Sequence, residues 1–511
     1  MINLQNLLSE ATSNTTLLLG SVVILLLTYP LTTLTYNLLL HPLRHFPGPV
    51  LHRASALPWA LRHALGTSAF HTQKLHARYG PVVRIAPGHL SFTSPRAWHD
   101  IYNALPRDGG SVWPEMPKSK VFTSATDDQE ESIIQAGFHE HARLRRALAP
   151  GFSDAALRVQ EPVLRGYVDL LVGKMREKCE EGGGAVLDME QWYNWATFDI
   201  AGDLVWGRAF GCLEREEYHP WIAFIMGTLK AAAAMVSIIY LGGRWLVRIL
   251  FKTVGQKSIL TLRRMTEEMV SHRLAMEKGK DDLFEGLVKH REEWSLSLEK
   301  FSSNGLILTL AGSETLATSL CGMTYLLLEN PSTMETLTRE LRAAFESADD
   351  ITVKAVSRLP YLTAVINESL RMYPPVVADL IRVVPPEGKQ IAGHYVVGGT
   401  FVEVQPWSIN HSPDNWVDPW TFNPDRFLPS EDEAREAGNV LEASQAFSWG
   451  PRNCLGRNLA YAEMRLILAR LVYEFDMKLG EGSDNWIGRQ KTFPLWDRLP
   501  LNVHCTPVRR G

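Results

Sequence analysis

Apolar residues recur three and four apart along most of this chain, and they alternate with polar ones in only a few short runs. The first spacing puts side chains on one face of a helix, the second on one face of a strand. Helices are predicted over residues 155–179, 192–206, 258–278, 304–329 and 332–347. Another follows position 454, with Leu455, Leu459, Ala462, Leu466 and Ala469 sharing a face. Val82–Ala86 and Phe401–Val404 read as strands between Gly and Pro punctuation. Helices dominate, so the expectation is a mainly α fold with a small β region, in one domain from about residue 50 to the end.

Two stretches are too apolar for an ordinary amphipathic pattern. Residues 11–40 carry no charge and 17–29 are strongly apolar, enough for the roughly 20 residues a helix needs to cross hydrocarbon. The predicted organisation is a short lumenal leader (1–16), a transmembrane anchor (17–40), a Pro-rich hinge (41–49) and a catalytic domain (50–511). Glu10 precedes the span and His41, Arg44 and Arg53 follow it, which places the catalytic mass in the cytosol. A cleaved signal peptide is the competing reading, but a basic leader and a small-residue cleavage site are missing. The Asn14-Thr15-Thr16 sequon lies too near the membrane to be used. Residues 221–251 form the second apolar stretch, interrupted by Gly227, Lys230, Gly242, Gly243, Arg244 and Arg248. Two helices roofing an apolar pocket and touching the bilayer are favoured there over a second span.

Composition narrows the function. The 511 residues are 45% hydrophobic and 21% charged with net charge -4, which argues against nucleic acid as the main partner. Five scattered cysteines without a C-x-x-C pair indicate neither a disulfide framework nor a zinc cluster.

One of those cysteines has informative neighbours. Cys454 sits in Phe447-Ser448-Trp449-Gly450-Pro451-Arg452-Asn453-Cys454-Leu455-Gly456, a bent loop running into a helix. A cysteine at a helix entrance faces unpaired N–H groups and the positive end of the dipole, which favours thiolate. Gly450 and Gly456 would let backbone approach a flat ligand, and Arg452 supplies a cation. These features suit an axial thiolate under a haem iron. The plainer reading is a buried structural cysteine beside a turn. The complete spacing F-x-x-G-x-R-x-C-x-G resembles the haem loop of the cytochrome P-450 family of haem-thiolate monooxygenases.

Three further motifs follow the family's order. Ala311-Gly312-Ser313-Glu314-Thr315 lies inside the 304–329 helix, where a glycine costs about 1 kcal/mol against alanine. A flat cofactor or dioxygen pressing on Ala311 and Gly312 would explain it; close helix packing with a solvated Glu314 is the alternative. The stretch resembles the family's oxygen-activating A-G-x-E/D-T, which implies that Thr315 and Glu314 deliver protons. Glu368 and Arg371 share a helix face. The family's buried Glu-Arg-Arg support below the haem maps onto Glu368, Arg371 and Arg426, the last within Phe422-Asn423-Pro424-Asp425-Arg426-Phe427. The haem propionates need cations. His141 and Arg145 lie one turn apart, His141 where the family often has Trp, and Arg382 matches a second propionate position. Arg143 and Arg146 are either solvated charges or part of a reductase-docking patch. The expected substrate lining comprises residues 113–125, the roof, Leu308, Ala311, 376–378 and the turn at 492–494, mostly apolar.

The resemblance implies haem b with an axial cysteine thiolate and electrons from NADPH through NADPH-cytochrome P-450 reductase. It implies one oxygen atom from O2 inserted into a hydrophobic small molecule, on the cytosolic side of the endoplasmic reticulum membrane, with a single span and membrane lipid around it. The hinge and the H-x-R-x-R-R helix resemble fungal microsomal members that oxidise secondary metabolites, trichothecene-type terpenoids among them; polyketides and alkaloids are equally open as substrates. The same cofactor could also run epoxidation, desaturation or oxidative cyclisation. A non-catalytic haem-binding membrane protein is the remote alternative, disfavoured by the intact Glu314-Thr315 pair.

Overall fold

The computed structural model describes residues 21, 24, 28–104, 115–123, 130–180, 183–250, 253, 256–276, 282–377 and 380–508. Eight helices position the site: α1 (Phe138–Leu148), α2 (Asp154–Glu180), α3 (Met189–Trp206), α4 (Pro220–Tyr240), α5 (Gln256–Ala275), α6 (Leu298–Glu329), α7 (Pro360–Met372) and α8 (Arg457–Glu474). Their starts follow local chemistry. Asp188 caps α3 by accepting from Glu190 N–H, and Ser297 caps α6 by accepting from Lys300 N–H. The Ser297 cap carries α6 six residues upstream of its periodic apolar run. The helix predicted over 332–347 instead spans Pro331–Ala344. Ser347 opens the next turn, in a reciprocal cap with Asp350.

α6 runs through the core against α3, α5, α7 and α8. Its approach to α3 is possible only because position 305 is glycine. A Cβ at Gly305 would stand 2.1 Å from the Trp206 ring, whose Nε1 donates to Thr309 Oγ1 at 2.9 Å. On α8, Glu463 is 4% exposed, and burial pushes its carboxyl up to about 8. The unfolded chain ionises this group above its ordinary 4.5, so stability falls as pH rises between these values. Glu463→Gln should therefore stabilise the protein at pH 8 by about 2–4 kcal/mol and lose that advantage near pH 4.5. Urea unfolding at the two pH values checks this.

A four-stranded sheet holds β1 (Val82–Ala86), β2 (His89–Phe92), β3 (Arg382–Val383) and β4 (Phe401–Val404) in the order β1-β2-β4-β3. The β2/β4 pair is parallel; the β1/β2 and β3/β4 pairs are antiparallel. A three-stranded sheet carries Asn502–Pro507 between Ala185–Asp188 and Phe475–Leu479. Every residue of β1 is buried, Arg84 included. Its guanidinium donates to the carbonyls of Pro87 and Asn37.

That arginine ties the hinge to the domain. Leu43 and Phe46 are buried, Arg84 N–H donates to Pro47 O at 2.7 Å, and Asn37 Nδ2 donates to Ala54 O at 2.8 Å. A Cβ at Gly48 would lie 2.4 Å from Arg84 O. The proline-rich segment is a docked elbow. Residues 28–39 are helical, with Tyr29, Leu31 and Leu39 exposed; the 1–16 leader and most of 17–27 lie outside the described residues.

The roof forms two helices, α4 and Arg244–Leu250, broken at Gly242 with φ +88°. α4 is long and apolar enough to cross a membrane, with mean hydropathy 2.0. It is also tied to the fold: Trp221, Ile222 and Ile225 are buried, and Lys230 pairs with Asp497 at 2.9 Å. α6 passes the same length test as a largely buried core helix.

Candidate active site

The loop from Phe447 to Gly456 turns through Ser448 (φ +59°) and Gly450 (φ +74°). A Cβ at Gly450 would lie 2.1 Å from Tyr102 O. This glycine is therefore fixed by protein packing, a reason the sequence assigned to a ligand. Cys454 N–H donates to Phe447 O at 2.9 Å and closes the loop. Arg145 on α1 straps it from outside, donating to both the carbonyl and the Oδ1 of Asn453 at 2.6 Å.

Of the five cysteines, four are buried and Cys454 is exposed. Yet protein atoms crowd its sulfur and push the thiol up, against the opposing pull of Gly456 N–H, Arg145 and Arg457. Both facts describe a sulfur opening into an interior space. The expectation that helix start and Arg452 together favour thiolate needs correction. Arg452 spends its charge on Glu115, at 2.6–3.1 Å, and on Ala136 O at 2.7 Å. Arg145 and Arg457 are the cations facing sulfur.

Arg452 belongs to a different feature. Around buried His141 stand Arg452, Arg145, Lys118 and Arg382, and burial plus these charges hold the imidazole down at about 3, hence neutral. Burial, then Arg382 and Arg452, bring Lys118 down to about 7. Arg382 lies in β3 with its guanidinium 5.1 Å above the Tyr102 ring. Glu115 is the carboxylate facing this nest. Three arginines and a lysine poised near neutrality around His141, with Glu115 balancing part of their charge, make a site for a ligand with more than one negative charge. A haem with two propionates fits.

On α6, Ala311 is exposed and Gly312 and Thr315 are partly exposed, in a stretch otherwise buried from Ser313 to Leu327. A Cβ at Gly312 would meet only Ala201, at 3.9 Å. Protein packing explains Gly305 and leaves Gly312 unexplained. Thr315 Oγ1 donates to Ala311 O at 2.6 Å, so its lone pairs remain available to accept. Glu314 is not the solvated acid of the packing alternative. It is fully buried, 3.1 Å from the Arg498 guanidinium.

Glu368, Arg371 and Arg426 meet as one buried network. Arg371 donates to Glu368 at 2.6 and 2.7 Å, and Arg426 at 3.2 Å. Arg143 is spoken for by Glu140 at 2.7 Å and by the Trp294 ring, while Arg146 is exposed. Of the expected lining, 115–123 of the 113–125 loop is described and Ala378 lies outside the described residues. Val377, Thr492 and Phe493 are buried, while Leu308 and Val376 are partly exposed. Phe122 packs among Trp59, Tyr240 and Phe401. Sequence reasoning placed Glu115 and Lys118 only within the substrate lining, and it missed Arg457, Arg498 and Glu190. Arg457 alone carried a signal, standing three residues after Cys454.

Among the described residues no cluster of three His, Cys, Asp or Glu could hold a metal. A lone open cysteine ligates a metal that brings its other ligands with it, as porphyrin does. With the cationic nest, an open cysteine of this kind fits a haem-thiolate protein. The chain belongs to the cytochrome P450 family, whose model, described as Cytochrome P450, matches residues 56–495. It is 43% identical to the cytochrome P450 monooxygenase tpeC of Talaromyces stipitatus, over 93% of this chain and 92% of that one. It is 39% identical to averantin hydroxylase of Dothistroma septosporum (94% and 90% covered). It is 37% identical to trichothecene C-15 hydroxylase of Fusarium sporotrichioides (94% and 96% covered). The protein is a P450 monooxygenase, an enzyme of a family that carries haem on a cysteine thiolate and draws electrons from a redox partner.

Proposed function

We propose that this enzyme inserts one atom of O2 into a hydrophobic intermediate of a fungal secondary-metabolite pathway while anchored in the endoplasmic reticulum membrane. The observation that carries it is Cys454, the one open thiol of five, set beside the cationic nest. Relatives named as a hydroxylase of averantin and of a trichothecene support a secondary-metabolite substrate. The exposed apolar side chains of residues 28–40, of Leu57, Leu61 and Leu65, and of Trp245, Ile249 and Leu250 support contact with lipid. Electrons come from NADPH through a reductase.

Cys454 would ligate the iron of haem b, and Phe447, Gly450 and Gly456 shape the loop that would present it. Arg145 and Arg382 hold the propionates, with His141 as a neutral donor and Arg452, tied to Glu115, setting the local charge. Haem bound in this way supplies reductive activation of dioxygen and oxygen insertion. Ala311 and Gly312 would leave room for it, and Thr315 Oγ1 would hold a proton there with Glu314 as its source. Glu368, Arg371 and Arg426 keep the loops beneath in place.

Thr315→Ala tests the proton assignment. NADPH and O2 consumption should persist while product formation falls roughly 100-fold, the low end for a lost acid–base group. Comparing O2 uptake with product mass reads this directly, and unchanged coupling removes Thr315 from the mechanism.

A further inference from the structure

Glu314 is held in an unusual way. Its carboxylate is fully buried, and neither oxygen has a hydrogen-bond partner among the described residues. The nearest cation, Arg498, is 3.1 Å away, within reach of a hydrogen bond, while its well-aligned hydrogen bonds go to other groups. Its Nε and one terminal nitrogen donate to Glu190 Oε1 at 3.3 and 3.1 Å, and that nitrogen also donates to Asn194 Oδ1 at 2.9 Å. The other terminal nitrogen donates to Thr318 Oγ1 and to the Glu314 carbonyl at 3.2 Å. One buried guanidinium thus faces two carboxylates and gives its hydrogen bonds to Glu190. Glu190 is the wetter of the two, its side chain 19% exposed against 0% for Glu314.

Building on the acid–alcohol reading above, we propose that Arg498 and Glu190 are positioning residues that set whether Glu314 carries a proton. With the guanidinium seated on Glu190 and Asn194, Glu314 takes up a proton and can pass it toward Thr315. With the guanidinium drawn to Glu314, that carboxylate is ionised and ready to be reprotonated. Motion of Arg498 by a fraction of its reach switches between these states, and the Asn194 amide steadies the first.

The charges agree with the geometry. Burial pushes the Glu314 carboxyl up most, the charge and hydrogen-bonding reach of Arg498 pull it down, and the charge on Glu190 pushes it up again. The other titratable groups around the cluster are Asp188, Tyr218, Cys321 and Tyr373. Burial and neighbouring charges keep the Tyr218, Cys321 and Tyr373 protons on through the working pH range. Neutralising Glu190 must therefore lower the pH at which Glu314 gives up its proton.

The test uses the haem-loaded enzyme and reads the infrared carbonyl band of a protonated carboxyl, assigned to Glu314 by its loss in Glu314→Gln. Glu463 contributes a separate band that survives that change. In Glu190→Gln the titration midpoint should fall by about one unit, and the pH profile of product coupling should move with it. Glu190→Asp keeps the charge and should keep the midpoint. If Glu190→Gln does not accumulate, Asn194→Ala releases one hydrogen bond on the guanidinium and should lower the midpoint by a smaller amount. A midpoint unmoved by either neutral variant overturns the proposal, as does an equal shift in Glu190→Asp, which would mark a structural effect. The infrared titration does not depend on turnover. Failure of Thr315→Ala to uncouple would sink the acid–alcohol reading and leave this result standing on its own.

Discussion

Cys454→Ala should give a folded protein whose reduced, carbon-monoxide-treated form lacks the red-shifted Soret band of thiolate ligation and whose monooxygenation is abolished. The fold should survive because the loop is closed by backbone, from Cys454 N–H to Phe447 O. Arg145 would still strap Asn453. Other cysteines cannot substitute. Cys212 and Cys505 are buried, and burial pushes both thiols up to about 12, so neither reaches the thiolate at working pH. Cys505→Ala provides the contrasting control. It should keep the band and lose about 1–2 kcal/mol of stability by leaving a small cavity. Retention of the thiolate spectrum in Cys454→Ala would dismiss the assignment, and loss of that spectrum in Cys505→Ala alone would relocate it.

Periodicity read the helices well because burial and local caps agreed there. It placed α3 and α6 and named Gly242 among the interruptions of the roof, but Gly227 and Lys230, named with it, lie inside α4. It also erred where a cap lay outside the apolar run, as at Ser297 and Ser347. Chemistry with short sequence reach was equally legible: Glu368 and Arg371 pair across three residues, though Arg426 required the family resemblance. Residues joined only by folding stayed hidden. Arg498 reaches Glu314 across 184 residues, and nothing in its Asp-Arg-Leu-Pro setting announces a partner. Lys118 and Glu115 sit in an irregular segment without period. Glycine was the most ambiguous letter. Gly305 and Gly450 are demanded by protein contacts, Gly312 is not, and sequence alone cannot say which surface a missing Cβ would have faced.

Glu368→Gln should be the most destructive single substitution among the supporting residues. Glu368 and Arg371 are both 0% exposed, and Arg426 is 4% exposed at its side chain. One carboxylate therefore balances two buried guanidiniums, and it also accepts Asn423 N–H at 2.9 Å. Removing its charge leaves two cations in low dielectric, a loss of about 3–5 kcal/mol or more, against a total stability of only about 5–15 kcal/mol for a typical protein. The damage should spread to the loop segment 410–426. Arg371 holds the carbonyls of Asn410, Pro419 and Thr421, and Arg426 those of Val417, Asp418 and Thr421. The expected result is little soluble, haem-loaded protein from Glu368→Gln and partial recovery in Glu368→Asp, which restores charge at shorter reach. Asp476→Asn breaks a surface pair with Arg342, 2.8 Å apart. It should change stability by less than about 1 kcal/mol. Haem content per protein and urea midpoints measure all three. If Glu368→Gln folds and loads as well as Asp476→Asn does, the buried network is dispensable and the Cys454 loop is held by Arg145 and its own turns instead.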